Sequence, residues 1–493
     1  MPQVPLTPIE GPPVLVIDVG SSSVRSSLVD PSGAVREVAR RAVGPITPAA
    51  GMVEVDAVAL AEAVLETAGA AASEATAAGG VAAVGVAAQR ATTLLWDRSS
   101  GTPLANAISW QDVRTVGQCL SLRRQGIRLT PNQSATKLAY LLDKHDRDRA
   151  RDLCFGTVDS WVLWTLSKGA LHLTDATNAA LTGLVTTDAA GWDASILEAL
   201  RVPSSILPAI VDSASVLGTA SALPGAPLIA GVAGDQQASL LGQGCLQAGE
   251  AKATFGTGAM LDCVTAVRPG FDLRGPQGTF PIVTHSVAGE RRWGVEAILL
   301  SAGAAVDWLV GGLGVLETAE QSDAVAAGVR DAAGVVFVPA LGGLGTPVWD
   351  FGARGQLSGL HPAAGRAEVV RAVLEGIAHS GADLLEAAEA DTGVSVPALR
   401  VDGGMSANVT FLQALADATG RPIQPAALRE ATTLGAAFLA GSAVGIWPDL
   451  AAAAKLATGR EVVEPRRRLD RERWLEARAR SERNVPFLSR LAF

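Results

Sequence analysis

The sequence predicts a two-domain protein of the α/β class, with strands and helices alternating in each half of the chain. Its 493 residues exceed the usual size of a single domain. Short β-branched segments that end in glycine turns occur in both halves, at VLVIDVG (14–20) and KATFGTGAMLDCV (252–264). Between them, GQGCLQAGE (242–250) predicts a linker or hinge. We therefore expect a disordered or extended leader over 1–13, a first domain over 14–246 and a second over 247–493.

The first half predicts an antiparallel meander followed by a helix. After VLVIDVG, VRSSLVD (24–30) reads as a second strand, and AVREVARRAV (34–43) pairs as a third strand after a PSG turn. The alanine-rich segment 55–80 has apolar residues three and four apart and ends in a glycine pair, which predicts a helix and its stop. VAAVGVAA (81–88) then predicts another strand.

The second half of the chain also alternates predicted strands and helices. The segment 252–264 predicts a strand, a glycine turn and a strand, and RRWGVEA (291–297) predicts a further strand. LRVDGG (399–404) predicts a strand that leads into a helix at SANVTFLQALADATG (406–420). Near the C-terminus, acids alternate with bases over 466–483, a pattern typical of a solvated helix.

Composition excludes several classes of protein. The formal charge of −9 and the absence of an uncompensated basic cluster argue against nucleic-acid binding. The four cysteines are scattered without a C-x-x-C pair, which argues against a zinc site and a disulfide framework. The chain has no signal-like leader and no uninterrupted apolar run of membrane-spanning length, so we expect a cytoplasmic protein with no membrane partner.

Two common nucleotide-binding motifs are missing. No G-x-x-x-x-G-K-[ST] occurs, and no G-x-G-x-x-G follows the first strand. P-loop and Rossmann folds are therefore disfavoured, and a dehydrogenase with them.

Three glycine-marked turns could receive phosphate or nucleotide. DVGSSSVRSS (18–27) offers backbone N–H groups, hydroxyls and an arginine, although an ordinary serine-rich hairpin explains it equally well. FGTGAM (255–260) is a second such turn, and VDGGMSANVTF (401–411) places two glycines before a helix N-terminus. Each signal is weak by itself.

A lone acid, Asp235, stands in GVAGDQQASLLGQG (231–244), after a small-residue turn and before an apolar segment. Taken alone, this position is that of a helix N-cap. A carboxylate beside a substrate would instead serve as a proton acceptor.

The order and spacing of these motifs resemble the FGGY family of carbohydrate kinases, most closely its glycerol kinase branch. The resemblance runs from Ile17 to Gly441 and includes IDVGSSSVRSSLVD, AAQRATTLLWD, NAISWQDVRT, HLTDATNAALTGL, GVAGDQQASLLGQG, ATFGTGAM, FVPALGGLGTPVWD, RVDGGMSAN and TTLGAAFLAG. It implies two actin-like (ribonuclease H-like) domains with a nucleotide and substrate cleft between them. It also implies an ATP-dependent kinase that acts on a small polyol or sugar.

The resemblance assigns roles by position. Asp235 would be the catalytic base, and Asp18 together with Asp235 would hold the Mg²⁺ of Mg-ATP. Arg90, Trp110, Asp235 and Gln236 would bind the acceptor. The residues implied in ATP binding are Ser21, Ser22, Ser23, Arg25, Gly256, Thr257, Gly303, Asp307, Gly404 and Asn408.

The expected acceptor pocket departs from the glycerol branch at three positions. Ala91 stands where that branch carries glutamate, Asn132 where it carries tyrosine, and Met260 where it carries phenylalanine. Near the nucleotide, Asp307 replaces a glutamine. The loss of a charged hydrogen bond weakens the binding of glycerol, and the loss of aromatic bulk leaves room for a larger acceptor. We therefore expect a poor glycerol kinase that prefers a longer polyol or a ketose.

A rival interpretation is a non-catalytic, nucleotide-binding regulator of the actin-like superfamily. Retention of both Asp18 and Asp235 disfavours it, because a protein that only binds nucleotide needs no base beside an acceptor. The sequence does not decide between a homodimer and a homotetramer.

Overall fold

The computed structural model describes residues 12–427 and 431–491. Most of the leader expected over 1–13 therefore lies outside the described residues.

From residue 12 onward, the described part of the first half contains twelve strands and seven helices, together with two short 3-10 turns, Thr76–Ala78 and Ser204–Ile206. In chain order the strands and helices are β1 (Val14–Val19), β2 (Ser23–Val29), β3 (Val35–Ala42), β4 (Glu54–Val55), α1 (Ala57–Ala75), β5 (Ala83–Ala88), β6 (Leu94–Asp97), β7 (Ala107–Ile108), α2 (Val116–Arg123), α3 (Ser134–His145), β8 (Leu153–Gly156), α4 (Val158–Leu166), β9 (Leu173–Asp175), α5 (Ala176–Ala179), α6 (Ala194–Leu200), β10 (Ala209–Val211), β11 (Ala214–Thr219), β12 (Leu228–Gly234) and α7 (Asp235–Gly242).

The second half contains eight strands and eight helices within the described residues, with a π-helical turn at Trp308–Gly312 and a 3-10 turn at Gly404–Ala407. In chain order the strands and helices are β13 (Ala251–Phe255), β14 (Ala259–Thr265), β15 (Phe280–Val287), β16 (Glu290–Leu299), α8 (Gly303–Asp307), α9 (Gln321–Ala327), β17 (Val336–Val338), β18 (Gln356–Ser358), α10 (Arg366–Thr392), β19 (Leu399–Asp402), α11 (Val409–Thr419), β20 (Ile423–Pro425), α12 (Ala431–Ala443), α13 (Leu450–Ala454), α14 (Arg471–Ser481) and α15 (Pro486–Ser489).

The first six-stranded sheet has the order β11-β12-β5-β1-β2-β3. Strands β1, β2 and β3 pair antiparallel, which confirms the predicted meander. Strand β5 runs parallel to both β1 and β12. The carboxyl ends of β1, β5 and β12 therefore meet at one edge, the usual position of a ligand site in an α/β sheet.

The second six-stranded sheet has the order β15-β16-β14-β13-β19-β20. It repeats the plan of the first sheet, since β13, β14, β16 and β15 pair antiparallel while β13, β19 and β20 run parallel. The predicted strands at 252–264, 291–297 and 399–404 and the predicted helix at 406–420 all form. The α/β class with two units is therefore confirmed.

Helices cover the sheets, and one of them crosses between units. Helix α1 packs on one face of the first sheet, and α10 and α11 pack on the second sheet. Helix α12 follows the second sheet in sequence but packs on the other face of the first sheet, through Leu434 and Phe438. Its Gly435 lies so close to α7 that an added Cβ would be 1.8 Å from the Ala238 carbonyl oxygen.

The helix predicted over 466–483 is less exposed to solvent than its sequence pattern indicates. Helix α14 forms within 466–483, but it is not solvated on all sides, because Trp474 is only 1% exposed and stacks on His379. Arg471 and Arg478 both form ion pairs with the buried Asp383. One face of this charged helix therefore belongs to the packed interior.

Within 12–427 and 431–491, no helix has both the length and the apolar character that crossing a membrane requires.

Candidate active site

Asp235 is the first residue of α7, directly after β12. The N-cap position belongs to Gly234, which makes no side-chain capping bond, so the N-cap interpretation of Asp235 is wrong. Its Oδ1 accepts the N–H of Gln236 at 2.8 Å. The Gly234 N–H donates to the Thr177 hydroxyl at 2.8 Å, which fixes the turn before the carboxylate. The Asp235 side chain stays 30% exposed and is open to a ligand.

Arg90 lies beside Asp235 because β5 and β12 are parallel neighbours. Its Nε is 3.5 Å from Asp235 Oδ1, and its Nη1 forms an ion pair with Glu296 Oε2 at 2.7 Å. Glu296 belongs to β16 of the second sheet. One guanidinium thus connects the expected base with the opposite sheet.

A row of charged side chains crosses the second sheet at this point. Lys252 on β13 is opposite Asp262 on β14, which is opposite Glu296 on β16. The Lys252 ammonium lies 2.8 Å from Asp262 Oδ2 and donates to Gln236 Oε1 at 2.5 Å. The second sheet therefore holds both Arg90 and Gln236 of the first unit.

Sequence reasoning did not identify Lys252, Asp262 and Glu296 as site residues. A signal was present, since each is a charge within a strand of otherwise mostly apolar residues, and Lys252 and Asp262 are fully buried. Charges are seldom buried unless they are paired. Their pairing depends on strand register, which the local sequence does not show.

Burial and nearby charges shift the pKa values of this cluster. Burial raises the pKa of Asp235, and the Arg90 charge opposes the rise only in part. Burial also raises the pKa of Glu296 to about 7 despite its pairing with Arg90. Burial lowers the pKa of Arg90, but Glu296 and Asp235 outweigh it and keep that pKa above its ordinary value. A carboxylate with a raised pKa is a better proton acceptor.

A chain of hydrogen bonds links the expected acceptor wall to the first glycine turn. The Asn132 amide donates to the Trp110 carbonyl oxygen at 3.1 Å, and the Trp110 indole donates to the Ser21 hydroxyl at 3.3 Å. Ser21 in turn donates to Gln89 at 3.4 Å. The side chain of Asn132 is exposed.

Ala91 and Met260 occupy the two other positions that depart from the glycerol branch. Ala91 is 7% exposed, has a φ of 59°, and its carbonyl oxygen accepts from the Ser134 hydroxyl at 3.1 Å. Met260 lies on β14 opposite Ile298, on the same face as Asp262. Met260 thus shares a sheet face with the charged row.

The first glycine turn joins β1 to β2. The Gly20 N–H donates to the Ser23 carbonyl oxygen at 3.1 Å, and Ser22 is exposed. Asp18 and Arg25 are opposite each other across the hairpin and form an ion pair. The turn therefore presents hydroxyl and backbone groups at the sheet edge where β12 leads into Asp235.

The second glycine turn joins β13 to β14 and is supported by α8. The Gly303 N–H donates to the Gly256 carbonyl oxygen at 2.8 Å, and an added Cβ at Gly303 would lie 2.6 Å from that oxygen. Thr257 is exposed at the tip of the turn, and Asp307 is exposed at the end of α8. The close approach requires glycine at position 303.

The third glycine turn follows β19, the parallel neighbour of β13. Gly403 has a φ of 87°, and an added Cβ would lie 2.4 Å from the Phe255 carbonyl oxygen. Gly404 is exposed, while Asn408 caps α11 by accepting the Phe411 N–H at 2.8 Å and donates to Ser322 at 3.0 Å. The second and third turns therefore lie at one edge of the second sheet.

The donor set fits Mg²⁺ better than a metal that needs several protein ligands. Across residues 12–427 and 431–491, no group of three or more His, Cys, Asp or Glu side chains is placed to hold a metal. Asp18 and Asp235 supply carboxylates at the edge where β1 and β12 end. Mg²⁺ is typically held by one or two carboxylates together with phosphate oxygens and water.

Two family models match the chain. The N-terminal domain model of the FGGY family of carbohydrate kinases matches residues 13–242, and the C-terminal domain model matches residues 251–444. A glycerol kinase of Trichlorobacter lovleyi is 41% identical over 96% of this chain and 98% of its own length. A glycerol kinase of Gloeobacter violaceus is 42% identical over 89% of each chain. The crystal structure of Plasmodium falciparum glycerol kinase with ADP superimposes with a TM-score of 0.86 at 26% identity, over 97% of this chain and 99% of that one.

Proposed function

The chain belongs to the FGGY family of carbohydrate kinases, and on that premise we propose how it binds its substrates and which acceptors it prefers. It is an ATP-dependent phosphotransferase with an alcohol acceptor, built on two actin-like, ribonuclease H-like domains. The relatives are named as kinases, and nothing in them supports the alternative of a non-catalytic regulator.

Asp235 is the base in this proposal. It accepts the proton of the acceptor hydroxyl while that oxygen attacks the γ-phosphorus of ATP. The observation that carries the assignment is a partly exposed carboxylate with a raised pKa, which lies 3.5 Å from Arg90 at the end of β12. Such a base typically contributes about two to four orders of magnitude in rate.

Arg90, Trp110 and Gln236 hold the acceptor beside this base. Two of them are positioned by the second sheet, because Glu296 pairs with Arg90 and Lys252 donates to Gln236. An acceptor held by these groups loses little orientational freedom during transfer, and this positioning supplies much of the rate in phosphoryl transfer.

The three glycine turns hold the nucleotide. In this proposal the terminal phosphates are bound by Ser21, Ser22, Ser23 and Arg25 on one side and by Gly256, Thr257, Gly303 and Asp307 on the other, and the adenosine is bound by Gly404 and Asn408. Asp18 and Asp235 would hold Mg²⁺, which would supply positive charge to neutralise the phosphates. These assignments rest on the family position of each residue and on the strand ends at which the turns lie, one in the first sheet and two at one edge of the second sheet.

Two observations favour different acceptors. The names and identities of the relatives favour glycerol. Ala91, Asn132 and Met260 favour an acceptor longer than glycerol, because they supply neither a carboxylate nor aromatic bulk at the positions where the glycerol branch has both. We propose a small polyol or sugar as the class, with glycerol as a poor substrate and a four- or five-carbon polyol or ketose preferred.

A panel of acceptors tests this function. Glycerol, longer polyols, pentoses and ketoses are assayed for ADP release with Mg-ATP, and kcat/KM is compared. ADP release that depends on the acceptor supports the kinase, and the ranking identifies the acceptor. ADP release without any acceptor dependence contradicts it. A cytoplasmic location and a homodimer or homotetramer stay predictions.

A further inference from the structure

Arg274 lies in a corner formed by two aromatic rings. Its guanidinium carbon is 4.3 Å from the ring centroid of Trp349 and 5.2 Å from that of Phe280. The two rings meet edge to face with centroids 5.1 Å apart. Stacking on two rings fixes the orientation of the guanidinium plane.

The charge of Arg274 has no acidic partner among the described residues. Its Nε is buried without a hydrogen-bond partner, and it forms no ion pair there. Burial and the nearby Arg123 charge lower the pKa of Arg274 to about 10. A buried donor without a partner is costly, so a site of this kind is stabilised by an anion that it can bind.

Arg274 stacks on a strand residue that neighbours the charged row of the second sheet. Phe280, on which it stacks, is opposite Glu296, the partner of Arg90. Trp349 donates to the Gly278 carbonyl oxygen, and this oxygen also accepts from Thr346, whose hydroxyl accepts the Ile298 N–H. Ile298 is opposite Met260, so a short chain of contacts connects Arg274 with the pocket.

Arg123 and Arg274 come from different units. Arg123 ends α2 in the first unit, whereas Arg274 belongs to the loop 266–279 between β14 and β15. The loop touches the first unit where Arg268 donates to the Thr187 carbonyl oxygen at 2.7 Å. The charge of Arg123 acts on Arg274 from the first unit, and a negative group bound at Arg274 would offset this repulsion.

The loop itself is well anchored. Asp391 accepts the backbone N–H groups of Gln277 at 2.7 Å and Thr279 at 3.2 Å. This carboxylate also accepts the Thr279 hydroxyl at 2.6 Å, so it is occupied by the loop. A fixed loop presents the cation in one position, which reduces the entropic cost of binding.

We propose that Arg274, stacked on Trp349 and Phe280 near Arg123, binds the oxygens of a carboxylate or phosphate group at the outer end of the acceptor pocket. This inference rests on the proposed function, since it takes the pocket beside Asp235 as the acceptor site. The anionic group comes either from the acceptor itself, as in an aldonic acid or a sugar phosphate, or from a free anion that binds beside a neutral acceptor.

The first test compares matched acceptors. The kcat/KM of a four- or five-carbon aldonate is divided by that of the polyol of equal length, for the wild type and for Arg274→Met and Arg274→Lys. If the acceptor carries the anion, the ratio falls about tenfold or more in Arg274→Met and recovers in Arg274→Lys. Arg268→Met is the control. Arg268 belongs to the same loop and stacks on Trp293 of β16, but unlike Arg274 it is paired with an acid, Asp272.

The second test detects a free anion. Calorimetry measures the binding of inorganic phosphate with the ATP site saturated by a non-hydrolysable Mg-ATP analogue, so that the nucleotide phosphate positions are occupied. Binding that weakens about tenfold in Arg274→Met, but not in Arg268→Met, supports the site with a free anion as its ligand. Thermal unfolding of each variant verifies that it is folded.

The inference is overturned if the wild type shows no preference for the acid and phosphate does not bind, or if both properties survive in Arg274→Met. If the enzyme still phosphorylates neutral polyols in that case, the proposed kinase function is unaffected. Failure of every acceptor, acidic or neutral, counts instead against the proposed function.

Discussion

The guanidinium of Arg90 and the carboxylate of Glu296 meet at 2.7 Å although they belong to different sheets. The pair is almost wholly removed from solvent, with Glu296 5% exposed. Because Arg90 also lies beside Asp235, the second sheet acts directly on the surroundings of the expected base.

Replacing the base gives the most direct prediction. Asp235→Asn is expected to lower kcat by at least about two orders of magnitude, because the amide does not accept the hydroxyl proton. Binding of ATP in the absence of Mg²⁺, measured by calorimetry, is expected to change little, because Asp235 is assigned to the acceptor and the metal and not to the nucleotide itself. Near-native turnover by the variant excludes Asp235 as the base.

Removing the charge of Glu296 tests the contribution of its ion pair with Arg90. Glu296→Gln is expected to reduce kcat/KM for the acceptor by about ten- to hundredfold, because a charged hydrogen bond to Arg90 is lost. The KM for Mg-ATP stays within about threefold, since the effect is on the acceptor side. Glu290→Gln, at the exposed start of the same strand, serves as the control. Equal losses in both variants contradict a specific role for Glu296.

The raised pKa of Glu296 predicts a pH dependence. Its pKa lies at about 7 instead of 4.5, so the folded protein binds this proton more tightly than the unfolded chain does. The free energy of unfolding, compared with that of Glu296→Gln, therefore falls as pH rises from about 4.5 to 7. Thermal midpoints of the two proteins across this range provide the measurement. A difference that is independent of pH contradicts the shift.

Metal removal tests the assignment of Mg²⁺. Exhaustive treatment with EDTA is expected to abolish phosphoryl transfer, and added Mg²⁺ is expected to restore it, because the carboxylates of Asp18 and Asp235 together with phosphate oxygens are typical Mg²⁺ ligands. Steady-state ADP release is the readout. Activity that survives chelation rules out a required divalent cation.

The acceptor pocket is tested by introducing the glutamate and the tyrosine that the glycerol branch carries there. Ala91→Glu combined with Asn132→Tyr is expected to shift preference toward glycerol by about one to three orders of magnitude in kcat/KM, relative to a five-carbon polyol. The gain reflects one charged acceptor and one added hydroxyl. If the wild type already prefers glycerol to every longer acceptor, this interpretation of the pocket is wrong, although the kinase activity stands.

Closure of the two units is expected on ligand binding. The groups that hold the acceptor come from both units, so an acceptor together with a non-hydrolysable ATP analogue favours the closed arrangement. Small-angle scattering is expected to show a smaller radius of gyration with both ligands than without them. An unchanged radius argues against a hinge motion.

Local signals explain which parts of the fold could be predicted. The β1–β2–β3 meander and the three glycine turns are encoded within short segments, by β-branched residues bounded by glycine. The small-residue turn expected before Asp235 is instead the end of β12 (Leu228–Gly234), so the strand that leads into Asp235 was not predicted. The catalytic and binding roles assigned to these residues remain predictions, which the experiments above address.

Distant pairing explains what was missed. Lys252, Asp262 and Glu296 form one row only because β13, β14 and β16 pair in a particular register. The buried face of α14 depends on Asp383 and His379, about ninety residues earlier. The return of α12 to the first sheet likewise depends on contacts between distant segments. Local sequence patterns do not report any of these relationships.

The return of α12 also sets the order in which the chain can fold during synthesis. The first sheet leaves the ribosome long before Leu434 and Phe438, which cover one of its faces. At about 5–20 residues per second, translating the intervening second sheet takes on the order of ten seconds or more. For that time the nascent N-terminal unit exposes apolar strands, so it depends on chaperone protection or on fast completion of the chain. A fragment that ends before α12 is consequently expected to aggregate when it is expressed alone.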